Sequence, residues 1–170
     1  HAGWRARLRI GLRESLLRAD AVLTVSEASK RDLLAALRQG GDSSTRVHVV
    51  YNGVAAHFRA EGRKPVATDP DAPRTLLYVG RLDPYKNVVG LVEAFARARG
   101  RLAFPLRLTL VGPPDPRYPE ALERARELGV ADAVACTGFV SDDELAEAYR
   151  TADLLVHPSR YEGFGLQLVE

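Results

Sequence analysis

Apolar positions change period several times along the 170 residues, and each change predicts an element. Trp4, Leu8, Leu12, Leu16 and Leu17 recur at helical spacing with Arg5, Arg7, Arg9 and Arg13 between them, which predicts a basic amphipathic helix over 4–18. An anionic membrane surface or a lipid-linked acceptor would suit that helix. Packing against other parts of a protein, with the arginines solvated, would suit it equally. The short apolar run 21–25 predicts a strand, and Ser26 stands as an N-cap before a helical period over 27–38. A second strand is predicted over 47–50, closed by the turn dipeptide Asn52-Gly53. Pro65, Pro70 and Pro73, set among charged and small residues, mark 61–74 as a linker.

Beyond the linker the alternation becomes regular. Strands predicted over 75–79, 106–111, 133–137 and 153–157 are separated by helices over 88–99, 117–128 and 142–150. Near-continuous Leu/Val strands joined by crossover helices are the pattern of a parallel sheet covered on both faces, so the fold class is α/β and Rossmann-like. Ligands of such sheets bind at the carboxyl ends of the strands. The loops that follow strands are therefore where chemistry is expected.

Composition narrows the function. With 46% hydrophobic and 27% charged residues the chain is globular rather than disordered. A net charge of +2 is far below that of a protein that tracks a phosphate backbone, so nucleic acid is not expected as a partner. The single cysteine, Cys136, excludes an internal disulfide and reads as a buried thiol in a reducing compartment. No apolar run approaches the roughly 18–20 residues that cross a bilayer, and no signal peptide is visible. The expectation is a cytoplasmic protein, with a peripheral contact at the inner face of the membrane left open by the basic helix. The sequence holds no methionine, starts at His1 and stops inside a pattern at Glu170, which gives the expectation of a piece of a longer chain.

Four loops carry candidate chemistry. After the strand at 75–79 come Gly80, Arg81, Leu82, Asp83, Pro84, Tyr85, Lys86 and Asn87. Gly80 lets a ligand approach the backbone, Arg81 offers a planar fork for phosphate oxygens, Lys86 adds a point charge, and Asn87 is placed to cap the next helix. Solvated surface charges are the plain alternative. Gly112-Pro113-Pro114 after the strand at 106–111 is not a dinucleotide fingerprint, which disfavours a nicotinamide enzyme. Ser141 with Glu144 three residues later forms a capping box, leaving the Val140 backbone to meet a base. Finally, Glu162 and Glu170 flank a turn containing Gly163, Phe164, Gly165 and Leu166. The amides of that turn suit a phosphate and the two carboxylates suit vicinal hydroxyls, against the alternatives of a plain glycine-rich turn and solvated helix-end charges.

Glu162 and Glu170, with seven residues between them, preceded by Pro158-Ser159 and enclosing Gly163-Phe164-Gly165, resemble the signature of family 4 (group 1) retaining glycosyltransferases. Ala19-Asp20-Ala21-Val22, Val25-Ser26, Tyr51-Asn52-Gly53-Val54, Tyr78-Val79-Gly80-Arg81-Leu82-Asp83, Lys86-Asn87, Gly138-Phe139-Val140 and Ala152-Asp153 are similar to that family in order and spacing. The resemblance implies a GT-B protein. Residues 1–60 would be the last part of an acceptor domain, and 75–170 most of the domain that binds the sugar nucleotide. It implies Arg81 and Lys86 at the diphosphate, Glu170 at the ribose and Glu162 facing the donor sugar. Val140 would meet the base, and Gly163 to Leu166 would lie near sugar and phosphate. It further implies no cofactor and no metal, a UDP- or GDP-linked hexose as donor with mannose favoured, and a glycan, lipid or small molecule as acceptor. A glycoside hydrolase would also use two carboxylates but leaves Arg81 and Lys86 unexplained. A non-catalytic sugar-nucleotide-binding module and a sugar-nucleotide epimerase of the same architecture remain as alternatives.

Overall fold

A computed structural model describes residues 14, 18–36, 46–58, 69 and 71–170. The basic helix expected over 4–18 lies outside the described residues except for Glu14 and Arg18, which are helical, and most of the expected linker at 61–74 also lies outside them. The chain forms two compact units. The first comprises His1–Gly53 with Gly163–Gly165, and the second comprises Val54–Glu162 with Leu166–Glu170.

In the first unit, strand β1 (Val22–Thr24), helix α1 (Glu27–Ala36) and strand β2 (Val47–Val49) make one βαβ step. The two strands pair in parallel, Val22 opposite Val47 and Thr24 opposite Val49. Ser26 caps α1 as its side chain predicts, since its Oγ accepts from the Ser29 amide at 3.0 Å. No turn forms at Asn52-Gly53; the chain turns instead at 56–57, with the Phe58 amide donating to the Ala55 carbonyl at 3.1 Å. The expected Asn-Gly reversal belongs to hairpins, and a parallel pair has none to close.

The second unit is a four-stranded parallel sheet in the order β5-β4-β3-β6, where β3 is Arg74–Val79, β4 Leu106–Val111, β5 Val134–Gly138 and β6 Leu154–Leu155. Helices α2 (Val88–Arg99), α3 (Glu120–Glu127) and α4 (Asp142–Thr151) are the crossovers. Helix α2 buries Val88, Leu91, Val92 and Phe95, one face at i, i+3, i+4 and i+7 spacing. These meet Tyr78, Leu108 and Leu110 of the sheet in the core. Helix α3 begins at Glu120 rather than at 117, because Asp115 and Tyr118 close a turn first and Pro119 stands at the helix N-cap. Strand β6 is shorter than its apolar run. It has one neighbour, β3, and Pro158 ends its capacity to donate, although the Asp153 and Val156 amides still reach the Thr75 and Leu77 carbonyls at 3.0 and 2.8 Å.

Strand order locates the site. From β3 the chain builds outward through β4 to β5, then crosses back and lays β6 on the opposite flank of β3. The loops leaving the carboxyl ends of β3 and β6 therefore diverge at the topological switch point, where doubly wound sheets hold ligands. The floor beside it is tight. Gly80 and Gly112, which follow β3 and β4, have φ of 145° and 147°, and a Cβ on Gly112 would lie 2.1 Å from the Gly80 carbonyl oxygen. Only glycine serves at 112.

Candidate functional site

Tyr78, buried in β3, begins the construction of the loop. Its hydroxyl donates to the Arg81 carbonyl at 2.5 Å, and burial, helped by the nearby Glu162 carboxylate, pushes its phenol above the ordinary value so that it stays a donor. Pro84–Lys86 then wind into one 3-10 turn, closed by the Lys86 amide on the Asp83 carbonyl at 2.9 Å. Asn87 takes the left-handed conformation, φ 57°, at the start of α2. Its side chain does not cap the helix as expected. Instead Nδ2 donates to the Pro158 carbonyl at 3.3 Å, while the Arg160 amide donates to the Tyr85 carbonyl at 2.9 Å. That side chain ties the loop after β3 to the loop after β6.

The tie brings two expected site residues together. Lys86 Nζ lies 2.5 Å from Glu162 Oε1, and the lysine is only 8% exposed. His157 Nε2, buried without a hydrogen-bond partner, is 3.3 Å from the same oxygen. Burial acts to raise the Glu162 carboxyl, but the Lys86 ammonium and the Ser159 side chain bonded to it, with His157 nearby, together outweigh that and hold it below the ordinary carboxylate value. The result is a desolvated cation held beside a carboxylate at the switch point.

Arg81 is placed differently. Its side chain is 59% exposed, with Nε 2.8 Å from Asp83 Oδ2 and Nη2 3.8 Å from Asp115 Oδ2. Asp115 is held at about 2 by its hydrogen bonds from Arg117 and stays ionised. Glu170 follows a single 3-10 turn, Leu166–Leu168, and its Oε2 accepts from the Tyr149 hydroxyl at 2.7 Å. Val140 sits between the exposed Phe139 and the Ser141 cap of α4. The predicted capping box is present, with Ser141 N donating to Glu144 Oε2 at 2.7 Å and Glu144 N to Ser141 Oγ at 3.3 Å. Gly163, Phe164 and Gly165 belong to the first unit. There the Gly163 carbonyl accepts from the Ser26 and Ser29 hydroxyls, Phe164 lies 6.0 Å from Tyr51 between ring centroids, and Gly165 has φ of 79°. Sequence reasoning did not single out His157 or Tyr149. Their roles arise from folding, although a histidine one residue before the Pro158-Ser159 pair was a visible signal.

Comparison with known proteins bears on family and fold. The family model for glycosyl transferases group 1 matches residues 61–170. The D-inositol 3-phosphate glycosyltransferase of Stackebrandtia nassauensis is 34% identical over 95% of this chain and 38% of its own length. Among solved structures, the apo form of the lipopolysaccharide outer core galactosyltransferase WaaB superposes with a TM-score of 0.66 at 27% identity, over 89% of this chain and 40% of that one. Anabaena HepE, solved with UDP and glucose, gives a TM-score of 0.73 at 23% identity, over 96% of this chain and 45% of that one, and shares the fold. The chain thus spans roughly two-fifths of the length of the proteins it matches. A parallel α/β sheet with cations and a carboxylate at its switch point, matched over most of its length by one family model, places this chain among the group 1 glycosyl transferases, with the GT-B fold.

Proposed function

We propose that the second unit grips the diphosphate of a UDP- or GDP-linked hexose, and that the protein transfers this sugar to an acceptor hydroxyl with retention at the anomeric carbon and without a metal. The observation that carries the reading is the Lys86–Glu162 pair at 2.5 Å, a nearly buried cation at the topological switch point. In the transfer the bond between the anomeric carbon and the phosphate oxygen breaks, its electron pair leaves with the nucleoside diphosphate, and a new bond forms to the acceptor oxygen as that hydroxyl's proton passes to the departing phosphate oxygen. Charge grows on the leaving diphosphate. Lys86 and Arg81 are the groups available to meet it, in the role a metal ion fills elsewhere. Glu162 holds Lys86 in place in the free protein and faces the sugar in the complex. Val140 and Glu170 serve the base and ribose. Among the described residues no helix is long and apolar enough to cross a membrane.

Calorimetric titration of UDP, GDP and ADP into the full-length gene product tests the grip and selects the base. Absence of binding by all three would overturn it. Arg81→Ala should then lower kcat more than it raises KM, because the charge it meets is largest in the transition state. Anomeric analysis of the product decides retention.

A further inference from the structure

Tyr149 and Glu170 come from different elements, α4 and the segment after Leu166–Leu168, yet meet at 2.7 Å. Resting on the reading of Glu170 as the ribose partner, we infer that Tyr149 is a positioning residue: its hydroxyl locks one oxygen of the Glu170 carboxylate so that the remaining acceptor sites face a vicinal diol of the nucleotide ribose. Three features make the phenol suited to this task. First, its ring is pinned, since Phe58 stands edge-on at 5.6 Å and 88°, and Phe58 is itself packed on His57 at 4.2 Å. Second, burial followed by the bond to Glu170 pushes the phenol well above its ordinary value, so that it keeps its proton and can only donate to the carboxylate. Third, the helix that carries Tyr149 is fixed at its start by the Ser141–Glu144 capping box.

Glu170 needs such a partner. It leaves a single 3-10 turn, with its amide on the Leu166 carbonyl at 3.1 Å, and a glutamate side chain has three rotatable bonds to immobilise before it can accept two hydroxyls at once. A carboxylate offers about four acceptor sites over two oxygens; the phenol takes one and leaves the geometry of the others defined. Tyr149 is therefore expected to act on the diol alone, leaving the affinity contributed by base and diphosphate unaltered.

The test uses the full-length gene product and two probes, UDP (or GDP, whichever binds more tightly) and its 2′,3′-dideoxy counterpart, titrated into wild type and Tyr149→Phe. The Phe variant retains the ring packed on Phe58. It should lose roughly five- to tenfold in affinity for the ribonucleotide, the worth of one hydrogen bond, and change less than about twofold for the dideoxy form. Equal weakening of both probes, or of neither, overturns the inference, since a merely structural role would not distinguish them. If wild type binds neither ribonucleotide, the proposed function falls with it, a result distinct from a flat comparison in a protein that binds. Should Tyr149→Phe fail to fold, Phe58→Leu loosens the brace while keeping the hydroxyl. It must then narrow the difference between the two nucleotides, and an unchanged difference overturns the inference.

Discussion

Arg81 and Lys86 stand five positions apart on one loop, carry the same charge and serve the same proposed ligand, yet their surroundings are opposite. The Lys86 side chain is 10% exposed and bonded to a carboxylate, whereas that of Arg81 is 59% exposed although the aspartates beside it are themselves largely covered. A covered charge is part of the fold, because removing its partner leaves an ion without compensation. An exposed one contributes little to stability and is free to reorganise around a ligand. Like charge on one loop thus divides into a covered cation paired within the fold and a solvent-facing one open to the proposed ligand.

The largest effect should come from Lys86→Ala, which strands Glu162. We expect a loss of ~3 kcal/mol in urea denaturation together with loss of nucleotide binding, and unchanged stability would contradict the structural half of the comparison. Gly112→Ala strikes the floor beneath both cations. It forces a Cβ against the Gly80 carbonyl at 2.1 Å in a backbone region L side chains avoid, and should cost ~2 kcal/mol or more and weaken binding; a variant as stable as wild type would refute it. An acid titration of stability sharpens the contrast further. The Glu162 carboxyl is depressed in the folded chain, so its contribution is present above the ordinary value of 4.5 and lost as pH falls through the folded value. That acid-side loss should be smaller in Lys86→Ala, whose stability curve would lie flatter than wild type over the same range. The smallest effect on stability belongs to Arg81→Ala, within about 0.5 kcal/mol of wild type in denaturation, even though its transferase kcat should fall.

Much of the second unit was legible in the sequence. Helix α2 and strand β4 fall on the residues their periodicity marked, 88–99 and 106–111, because each packs one clear face or both faces into a continuous core. Where a boundary moved, a local competitor explains it, as with the 115–118 turn ahead of α3 and the single-neighbour pairing of β6. The Asn52-Gly53 turn failed for a topological reason, since a dipeptide preference carries no information about whether the flanking strand pairs in parallel. In the site, charge and spacing identified Arg81, Lys86, Glu162 and Glu170 as candidates. The 2.5 Å meeting of Lys86 with Glu162 could not be read, because 76 residues separate them and strand order alone brings their loops together. Asn87 was assigned to its helix on residue type, and its side chain bonds the Pro158 carbonyl of a loop 71 residues away instead.

The strand order also sets a sequence of events during synthesis. Strands β3, β4 and β5, with α2 and α3 between them, occupy one continuous stretch from 74 to 138 and can pair as they emerge, each next to the strand before it. Strand β6 must arrive last and dock on the far side of β3 through two paired residues, and only then does Glu162 reach Lys86. The Lys86–Glu162 pair thus depends on the docking of β6 against β3, the step between the strands farthest apart in the chain.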